Sequence, residues 1–227
     1  ELELKKECLD TYELGEPQTL TQEETAETIV PDYCPDIARI ISAEGVVCLH
    51  GGTEQDGVTG TVRVTVLYTP ENESGVRALE FAMPFSAQGE GLAGCAHVVV
   101  ETEIELLESR MLNPRKIFTR CKLVTHLAGC RKVCLTISSD AETDPALLVE
   151  KRCCGQTVSL LRQVAEKDLT FSETMSLSLG REGAAELLHC RANGIVTETK
   201  AIGNKLIFKG VFLVSALYRT IGGQLAS

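Results

Sequence analysis

Cysteine is the residue type with the widest chemistry in this sequence, which has ten cysteines among its 227 residues. Thiolates hold structural zinc when they come in closely spaced pairs, so that four ligands converge on one ion. Cys130 and Cys134 are separated by three residues and Cys153 is next to Cys154, but there is no Cys-x-x-Cys pair and no second pair at zinc spacing. We therefore predict no metal site, and we expect the thiols to pack as small hydrophobic side chains.

Nucleophilic catalysis is the second chemistry to consider, because a thiolate or hydroxyl becomes reactive beside a base that a third group orients. No motif surrounds any of the four histidines, which are His50, His97, His126 and His189. His189 is adjacent to Cys190, but on the short helix that we predict there, adjacent side chains point in different directions. The sequence therefore predicts no catalytic residue and a protein that is not an enzyme.

Two further patterns have explanations that need no chemistry. Glu101, Glu103 and Glu105 alternate, so they share one face of a strand and are typical of a solvated face. A general acid and base pair would instead need two differently tuned environments. Gly51-Gly52 indicates a turn and not a phosphate-binding loop, because no Gly-Lys-Ser/Thr follows it. We predict no cofactor and no cofactor-binding residue.

The composition limits the classes of partner. The formal net charge is -10 and the basic residues are scattered, so the chain lacks the basic face that nucleic-acid binding requires. Aromatic residues are scarce, with no Trp, six Phe and four Tyr. No apolar run reaches the roughly 18 residues of a membrane span. No signal peptide opens the chain either, so we expect no membrane span and a reducing cytosol.

The elements that position these residues occur twice in the sequence. Lys5-Lys6-Glu7-Cys8 is echoed 146 positions later by Lys151-Arg152-Cys153-Cys154. The clearest match joins Gly60–Tyr68 (GTVRVTVLY) to Gly210–Tyr218 (GVFLVSALY), 150 positions later. A period this long indicates a whole folding unit, and the small drift in offset is what insertions in loops produce. We therefore predict one complete module followed by part of a second.

Alternating apolar residues predict three β-hairpins. The first surrounds the turn at Gly51-Gly52, the second joins Val98–Leu107 to Ile117–Leu127, and the third surrounds Gly203-Asn204. The turn of the second hairpin contains Asn113-Pro114, which is a turn signal. These hairpins predict antiparallel sheets.

Two short helices are predicted where the spacing of apolar residues changes. Pro35 suits the first turn of a helix that runs to about Ser42, and Gly183–Cys190 is its counterpart. Ser138-Ser139-Asp140 and Asp144-Pro145 indicate a linker. We therefore predict a mainly β fold of antiparallel, sandwich-like modules with short helices. The first module, with an N-terminal arm, covers residues 1–138, a linker covers 139–146, and a second, truncated module covers 147–227.

Three segments carry a family resemblance: Glu23–Gly45, Arg110–Arg120 with its string RMLNPRKI, and Asn204–Tyr218. In these segments the chain resembles the SPOCS domain family of endospore-forming bacteria, formerly a domain of unknown function. The resemblance implies a structural role in assembly of the spore coat, in the mother-cell cytoplasm at the forespore surface. The implied partners are other spore coat morphogenetic proteins. They include a coat-building ATPase, whose attachment is associated largely with the LysM module that ends longer relatives; no LysM pattern precedes Ser227.

Interaction surfaces are the remaining candidate sites. Tyr33 lies between two prolines and is a candidate for stacking on a partner, with a buried anchor for the helix start as the alternative. A basic turn is a candidate for meeting an acidic partner, with a solvated hairpin end as its alternative. Its residues are Arg110, Arg115, Lys116 and Arg120. Exposed sheet edges of the truncated second module would also allow self-association.

We therefore predict a non-enzymatic structural module that acts through protein-protein contacts in endospore coat or envelope assembly. Repeated modules would raise the effective concentration of individually weak contacts. The alternative is a carbohydrate-binding β module that recognises peptidoglycan or coat glycan. Such sites usually use exposed aromatic platforms, and the chain has few aromatic residues to offer.

Overall fold

The computed structural model describes residues 2–50, 57–143 and 183–227, together with 150, 152, 154–155, 157–165, 170 and 172–174. These residues form ten β-strands. They are β1 (Leu2–Leu14), β2 (Gln18–Ile29), β3 (Ile37–His50), β4 (Gly57–Pro70), β5 (Arg77–Gln88), β6 (His97–Asn113), β7 (Lys116–Thr143), β8 (Ala184–Ile202), β9 (Lys205–Thr220) and β10 (Leu225–Ala226). Within the described ranges, no helix is long and apolar enough to cross a membrane.

The first sheet is organised by β7, which has 28 residues and pairs with three other strands. Its first half lies between β2, paired from Lys116 to Leu127, and β6, paired from Lys116 to Cys130. Its second half pairs with β1 from Cys130 to Thr143. All three pairings are antiparallel. The N-terminal arm expected from the sequence is therefore the strand β1, paired with the far end of β7.

The second sheet has the strand order β3-β4-β5 and is also antiparallel. Every second residue of β4 is buried, because successive side chains of a strand point to opposite faces. On the buried face, Val62, Val64, Val66 and Tyr68 have no exposed surface. The apolar residues that alternate along this segment of the sequence therefore lie on the core face of β4, and the residues between them lie on its outer face.

The first two sheets pack face to face around a common core. Val64 of β4 and Met83 of β5 belong to the same cluster of buried side chains as Ile117 and Leu123 of β7. A smaller cluster around Leu127 extends the core toward one end. The chain is mainly β with antiparallel sheets and sandwich-like packing, which confirms the predicted fold class except for its helices.

The three predicted hairpins are present as β3 with β4, β6 with β7, and β8 with β9. The turn predicted at Gly51-Gly52 lies outside the described residues. In the third hairpin, Gly203 has a φ of 60°, which is a backbone conformation that glycine adopts without a steric penalty. Glycine at this position therefore suits the tight reversal between β8 and β9.

The third sheet, of order β10-β9-β8, repeats the register of the second sheet. Ile37 pairs with Pro70, and Ala184 pairs with Thr220, so the first strand recurs at an offset of 147 (184 against 37) and the second at 150 (220 against 70). Two β-bulges recur at the same offset. They lie at Ile37/Arg39 and Ile40/Ser42 in β3, and at Ala184/Glu186 and Leu187/His189 in β8. The internal repeat seen in the sequence is thus also a repeat of strand pairing.

The short strand β10 corresponds to the start of β5. Ala226 pairs with Tyr218 of β9, as Arg77 pairs with Tyr68 of β4. The amide of Thr220 donates a hydrogen bond to the carbonyl of Gln224 at 2.8 Å, which closes the turn before β10. The third sheet therefore has the strand order of the second, with its third strand represented by two residues.

Both predicted helices are wrong, because Pro35–Ser42 leads into β3 and Gly183–Cys190 leads into β8. The bulges explain the error, since each inserts one extra residue into the strand. Ile37, Ile40 and Ala43 consequently contribute to the same core although they are three positions apart. Apolar residues at that spacing imitate the period of a helix.

The predicted linker over residues 139–146 starts inside β7, which continues to Thr143, and 144–146 lie outside the described residues. Lys5 pairs with Asp140 and Lys6 with Ser138, so Ser139 is the extra residue of a bulge. Its hydroxyl donates to the carbonyl of Lys5 at 3.4 Å. A bulge accommodates residues that usually interrupt strands, so this Ser-Ser-Asp string stays paired with β1.

The different burial of β7 and β9 gives a first prediction. Leu123 has no exposed surface, whereas 59% of Leu213 is exposed. We expect Leu123→Ala to lower the free energy of unfolding by about 2–5 kcal/mol, because it leaves a cavity in the sandwich core. Leu213→Ala should change it by less than about 0.5 kcal/mol. Urea denaturation followed by circular dichroism measures both, and equal losses would contradict the exposed position of β9.

Candidate interaction surface

The loop between β2 and β3 is tied to the turn between β6 and β7. The amide of Val30 donates to the carbonyl of Arg115, and the amide of Ile37 donates to the carbonyl of Pro114, both at 2.9 Å. The turn itself is fixed by Asn113, whose Oδ1 accepts a hydrogen bond from the amide of Arg115 at 2.9 Å. The Asn-Pro turn signal therefore also positions the arginine that follows it.

The guanidinium group of Arg115 holds this loop together. Its Nη1 donates to the carbonyl of Cys34 at 2.7 Å and to the carboxylate of Asp36 at 3.0 Å. Its Nη2 donates to the carbonyl of Val30 at 2.8 Å and to the carboxylate of Asp32 at 3.3 Å. The planar fork of an arginine suits several acceptors at fixed positions. Arg115 was predicted to bind a partner, but its side chain contacts the chain itself and positions the loop.

Tyr33 lies in the loop that Arg115 holds, and 88% of its surface is exposed. The alternative prediction, in which Tyr33 is a buried anchor for the start of a helix, is therefore wrong. The segment that follows is the strand β3, and Ile37 contacts the core there. The amide of Cys34 donates to the carbonyl of Pro31 at 2.9 Å and closes the turn around the tyrosine. A tyrosine on a fixed loop loses little conformational freedom on binding, so Tyr33 is well suited to contact a partner.

Lys116 and Arg120 of the predicted basic turn lie on the outer face of the first sheet, since alternate residues of a strand share a face. Acidic residues of the neighbouring strand β2 pair with them. Lys116 forms an ion pair with Glu27, and Arg120 forms one with Glu23 at 2.6 Å. The hydrogen bond that Arg120 donates to the carboxylate of Glu23 is also the main cause that raises the pKa of Arg120. The chain's own carboxylates therefore occupy the place that we had predicted for an acidic partner.

Arg110 completes the predicted basic turn from the strand β6. Its guanidinium carbon lies 4.9 Å from the centroid of the Phe118 ring, a distance typical of a cation-π contact. The pairing of Arg110 with Phe118 places both on the same outer face as Lys116 and Arg120. The four predicted residues are thus divided between this face and the loop that Arg115 holds.

The β8–β9 hairpin carries exposed apolar side chains that no sequence motif indicated as a site. The exposed fractions are 63% for Val196, 59% for Leu206 and 60% for Phe208. Cross-strand pairing and strand alternation place ten residues on one face of the hairpin. They are Ala192, Gly194, Val196, Thr199, Ala201, Leu206, Phe208, Gly210, Phe212 and Val214. None of these is charged, and we call this surface the apolar face.

The apolar face corresponds to the core face of the second sheet. Val214 is the counterpart of Val64, which lies at the centre of the sandwich core. The reverse face of the hairpin is mixed and carries Glu198, Lys200 and Lys209. The repeat in the sequence was the available signal for this site, because it showed that β9 has the alternation of a strand that is buried on one side.

A cleft of about 1020 Å³ lies between β8 and the outer side of the second sheet, with β6 at its rim. At this cleft Nε2 of His189 lies 3.1 Å from a carboxylate oxygen of Glu44, so the pair joins the two repeats. Cys48 and Cys190 also line it. Among the described residues, no group of three or more histidine, cysteine or acidic side chains could hold a metal ion.

The described cysteines differ in their surroundings. Cys121 and Cys130 are buried, as predicted for packed thiols. Burial raises the pKa of Cys121 to about 11, with a smaller contribution from the charge of Glu24. Cys8 and Cys134 instead form a disulfide between β1 and the far end of β7, with Cα atoms 5.6 Å apart. The sequence could not indicate this pair, because it depends on the register of two strands that lie 126 residues apart.

The contacts of Arg115 generate a prediction about stability. We expect Arg115→Lys to lower the free energy of unfolding by about 1–3 kcal/mol, because a lysine cannot donate to all four acceptors of the loop. Arg110→Lys is the matched control and should cost less than about 0.5 kcal/mol, since its side chain lies on the sheet surface. Urea denaturation compares the two variants. Equal stability of the Arg115 variant and the unchanged protein would contradict the conclusion that Arg115 holds the loop between β2 and β3.

The raised pKa of Cys121 generates a prediction about reactivity. Relative to the ordinary thiol value of 9.0, a pKa of about 11 lowers the thiolate fraction at pH 8. Two pKa units lower the thiolate fraction about a hundredfold. The rate of alkylation falls with that fraction, because the thiolate is the nucleophile. In the folded protein, iodoacetamide should therefore modify Cys121 about 100-fold more slowly than a thiol of ordinary pKa, and much more slowly than the exposed thiol of Cys190. Mass spectrometry of peptides measures both rates, with urea-unfolded protein as the control. Similar rates before unfolding would contradict the packed thiol.

Comparisons with protein-family models, with curated proteins and with solved structures find no match to this chain. The surfaces that carry the functional argument are therefore the apolar face of the β8–β9 hairpin and the loop that presents Tyr33.

Proposed function

We propose that this chain is a non-enzymatic structural module that acts through protein-protein contacts in endospore coat or envelope assembly. The observation that carries the proposal is the apolar face of the β8–β9 hairpin, where Val196, Leu206 and Phe208 are each about three-fifths exposed. Contiguous exposed apolar surface is characteristic of sites that bind other proteins. Its partners are proposed to be other coat morphogenetic proteins at the forespore surface in the mother cell.

The energetics of this face favour a weak, repeated contact. Full burial of a leucine or phenylalanine side chain contributes about 1.5–3 kcal/mol, so burial of the exposed parts of Leu206 and Phe208 contributes about 2–4 kcal/mol together. Association also costs rotational and translational freedom. One hairpin alone would therefore bind a partner only weakly. Several modules held in one layer would bind firmly, because linkage raises the effective concentration of each contact.

The segments that resemble the SPOCS domain family support the sporulation context of the proposal. Two of them, Glu23–Gly45 and Arg110–Arg120, meet where Arg115 donates hydrogen bonds to the loop that carries Tyr33. The third, Asn204–Tyr218, forms most of the strand β9. The resembling segments thus build one presented loop and one strand of the apolar face. This placement is consistent with a family whose function depends on surface contacts.

The proposal predicts where the protein goes in a sporulating cell. A fluorescent fusion should collect at the forespore surface, and the double variant Leu206→Lys/Phe208→Lys should stay diffuse, because charges on the apolar face prevent its burial. Ile207→Lys is the matched control, since Ile207 is 41% exposed on the reverse face of the same strand. The control should localise like the unchanged protein.

Co-purification from sporulating cells provides the second measurement. Coat proteins should be recovered with the unchanged protein and with the Ile207→Lys control, and lost with the double variant. The proposal is refuted if the fusion is diffuse without any substitution, or if the double variant localises normally. Saturable binding to purified peptidoglycan fragments that accounts for localisation would instead favour a glycan-binding module.

A further inference from the structure

The far half of β7 and the strand β1 form a ribbon of two strands. Within the described part of the chain, β2 pairs with β7 as far as Leu127, and β6 pairs with it as far as Cys130. Beyond Cys130, the described strand that pairs with β7 is β1. We call β1 and residues 130–143 of β7 the ribbon.

Side-chain packing gives the ribbon little support. Over residues 3–10 and 131–142, whose burial the structure describes, no side chain is buried. Large apolar side chains there are exposed as well, by 48% for Leu4, 41% for Leu135 and 39% for Ile137. Two paired strands without a packed face are only marginally stable in water. This part of the ribbon therefore depends on another interaction.

The disulfide between β1 and β7 supplies that interaction. Cys8 and Cys134 are both exposed, and their Cα atoms lie 5.6 Å apart. Cys8 lies opposite Thr136 and Cys134 lies opposite Asp10, so the bond crosses the ribbon diagonally. The ion pair of Lys132 with Asp10 is exposed on both sides and adds little. The disulfide therefore keeps the two strands together where side-chain packing does not.

The base of the ribbon is anchored by other contacts. The amide of Tyr12 donates a hydrogen bond to the carbonyl of Leu161 at 2.8 Å, and the hydroxyl of Thr11 donates to the same carbonyl at 3.0 Å. Thr11 is buried, and the ring centroids of Tyr12 and His97 lie 6.1 Å apart. From Thr11 onward, β1 is thus held independently of the disulfide.

We infer that the Cys8–Cys134 disulfide is a redox-sensitive lock on the ribbon. Its reduction converts residues 2–10 from a paired strand into a free arm, while the sandwich and the anchored base stay folded. The inference does not rest on the proposed function. It follows from the position of the bond, which is exposed to solvent and lies where no packed side chains hold the strands. Exposed disulfides are the ones that thiols in solution reach and reduce.

The reductant is a small thiol such as glutathione. Its thiolate attacks one sulfur of the protein disulfide and forms a mixed disulfide, and a second thiolate of the reductant then displaces the protein sulfur. The S–S bond between Cys8 and Cys134 breaks, and an S–S bond between two molecules of the reductant forms. Two electrons and two protons pass from the reductant to the two cysteines. The disulfide form of the same reductant reverses the exchange.

The test compares the purified, oxidised 227-residue chain before and after treatment with reduced glutathione at neutral pH. Alkylation followed by mass spectrometry should show that Cys8 and Cys134 become free thiols in the folded protein. Amide hydrogen exchange over 3–10 and 134–142 should then be at least about tenfold faster, because the two strands are no longer linked. Exchange at Tyr12 and over 117–127 should change by less than about twofold, since those residues are held by other contacts.

Two variants separate the disulfide from other effects of the reductant. The double variant Cys8→Ser/Cys134→Ser should show fast exchange over 3–10 with and without glutathione. Trypsin should also cleave after Lys5 or Lys6 faster in this variant than in the oxidised protein. Cys190→Ser is the matched control, because it removes an exposed free thiol and leaves the lock intact. It should respond to glutathione like the unchanged protein.

Three results would overturn the inference. The disulfide could resist glutathione until the protein is unfolded, or its reduction could leave exchange over 3–10 unchanged. Reduction could also speed exchange over 117–127 as much as over 3–10, which would identify a link that stabilises the whole protein and not a local lock. Unaltered exchange over 117–127 in the double variant shows that its sandwich is folded. All of these measurements use purified protein, so their outcome is separate from that of the localisation experiment.

Discussion

Backbone pairing along β7 is the interaction on which the rest of this structure depends. The strand supplies hydrogen-bond partners to β1, β2 and β6, so four strands form one sheet around it. Its alternate side chains, among them Ile117, Cys121 and Leu123, then provide the apolar surface that covers β4. Its turn with β6 also carries Arg115, which fixes the loop between β2 and β3. One long strand thus links the sheet, the sandwich core and the presented loop.

The two repeats show that local sequence sets pairing, whereas an opposing sheet sets burial. The hairpins β3–β4 and β8–β9 share their register and two bulges. Val62 nevertheless has no exposed surface, while its counterpart Phe212 is 59% exposed. The difference follows from position, because the first sheet covers one hairpin and not the other. The alternation of a strand therefore predicts which face can be buried, and the tertiary structure determines whether that face is buried.

Much of the fold could be predicted from the sequence, because alternation and repetition are local signals. The three hairpins and the repeat are of this kind. The two helices could not be excluded from the sequence. In β3, for example, the bulges at Ile37/Arg39 and Ile40/Ser42 gave the apolar residues a helical spacing. Ser139 indicated a linker because a bulge and a turn favour similar residues. The role of Arg115 and the exposure of Tyr33 could not be predicted, because they depend on contacts between residues far apart in the sequence. The hydrogen bond from Arg115 to the carbonyl of Cys34, for example, joins residues 81 positions apart.

An exposed apolar hairpin requires some protection against indiscriminate association, and the distribution of charge provides it. The reverse face carries Lys200, Lys209 and Glu198, so two hairpins cannot stack through that face without burying charges. The net charge of -10 opposes close approach of whole chains. Lysine near an edge strand similarly disfavours uncontrolled strand pairing. Contact through the uncharged apolar face is not opposed in this way, because it buries no charged side chain.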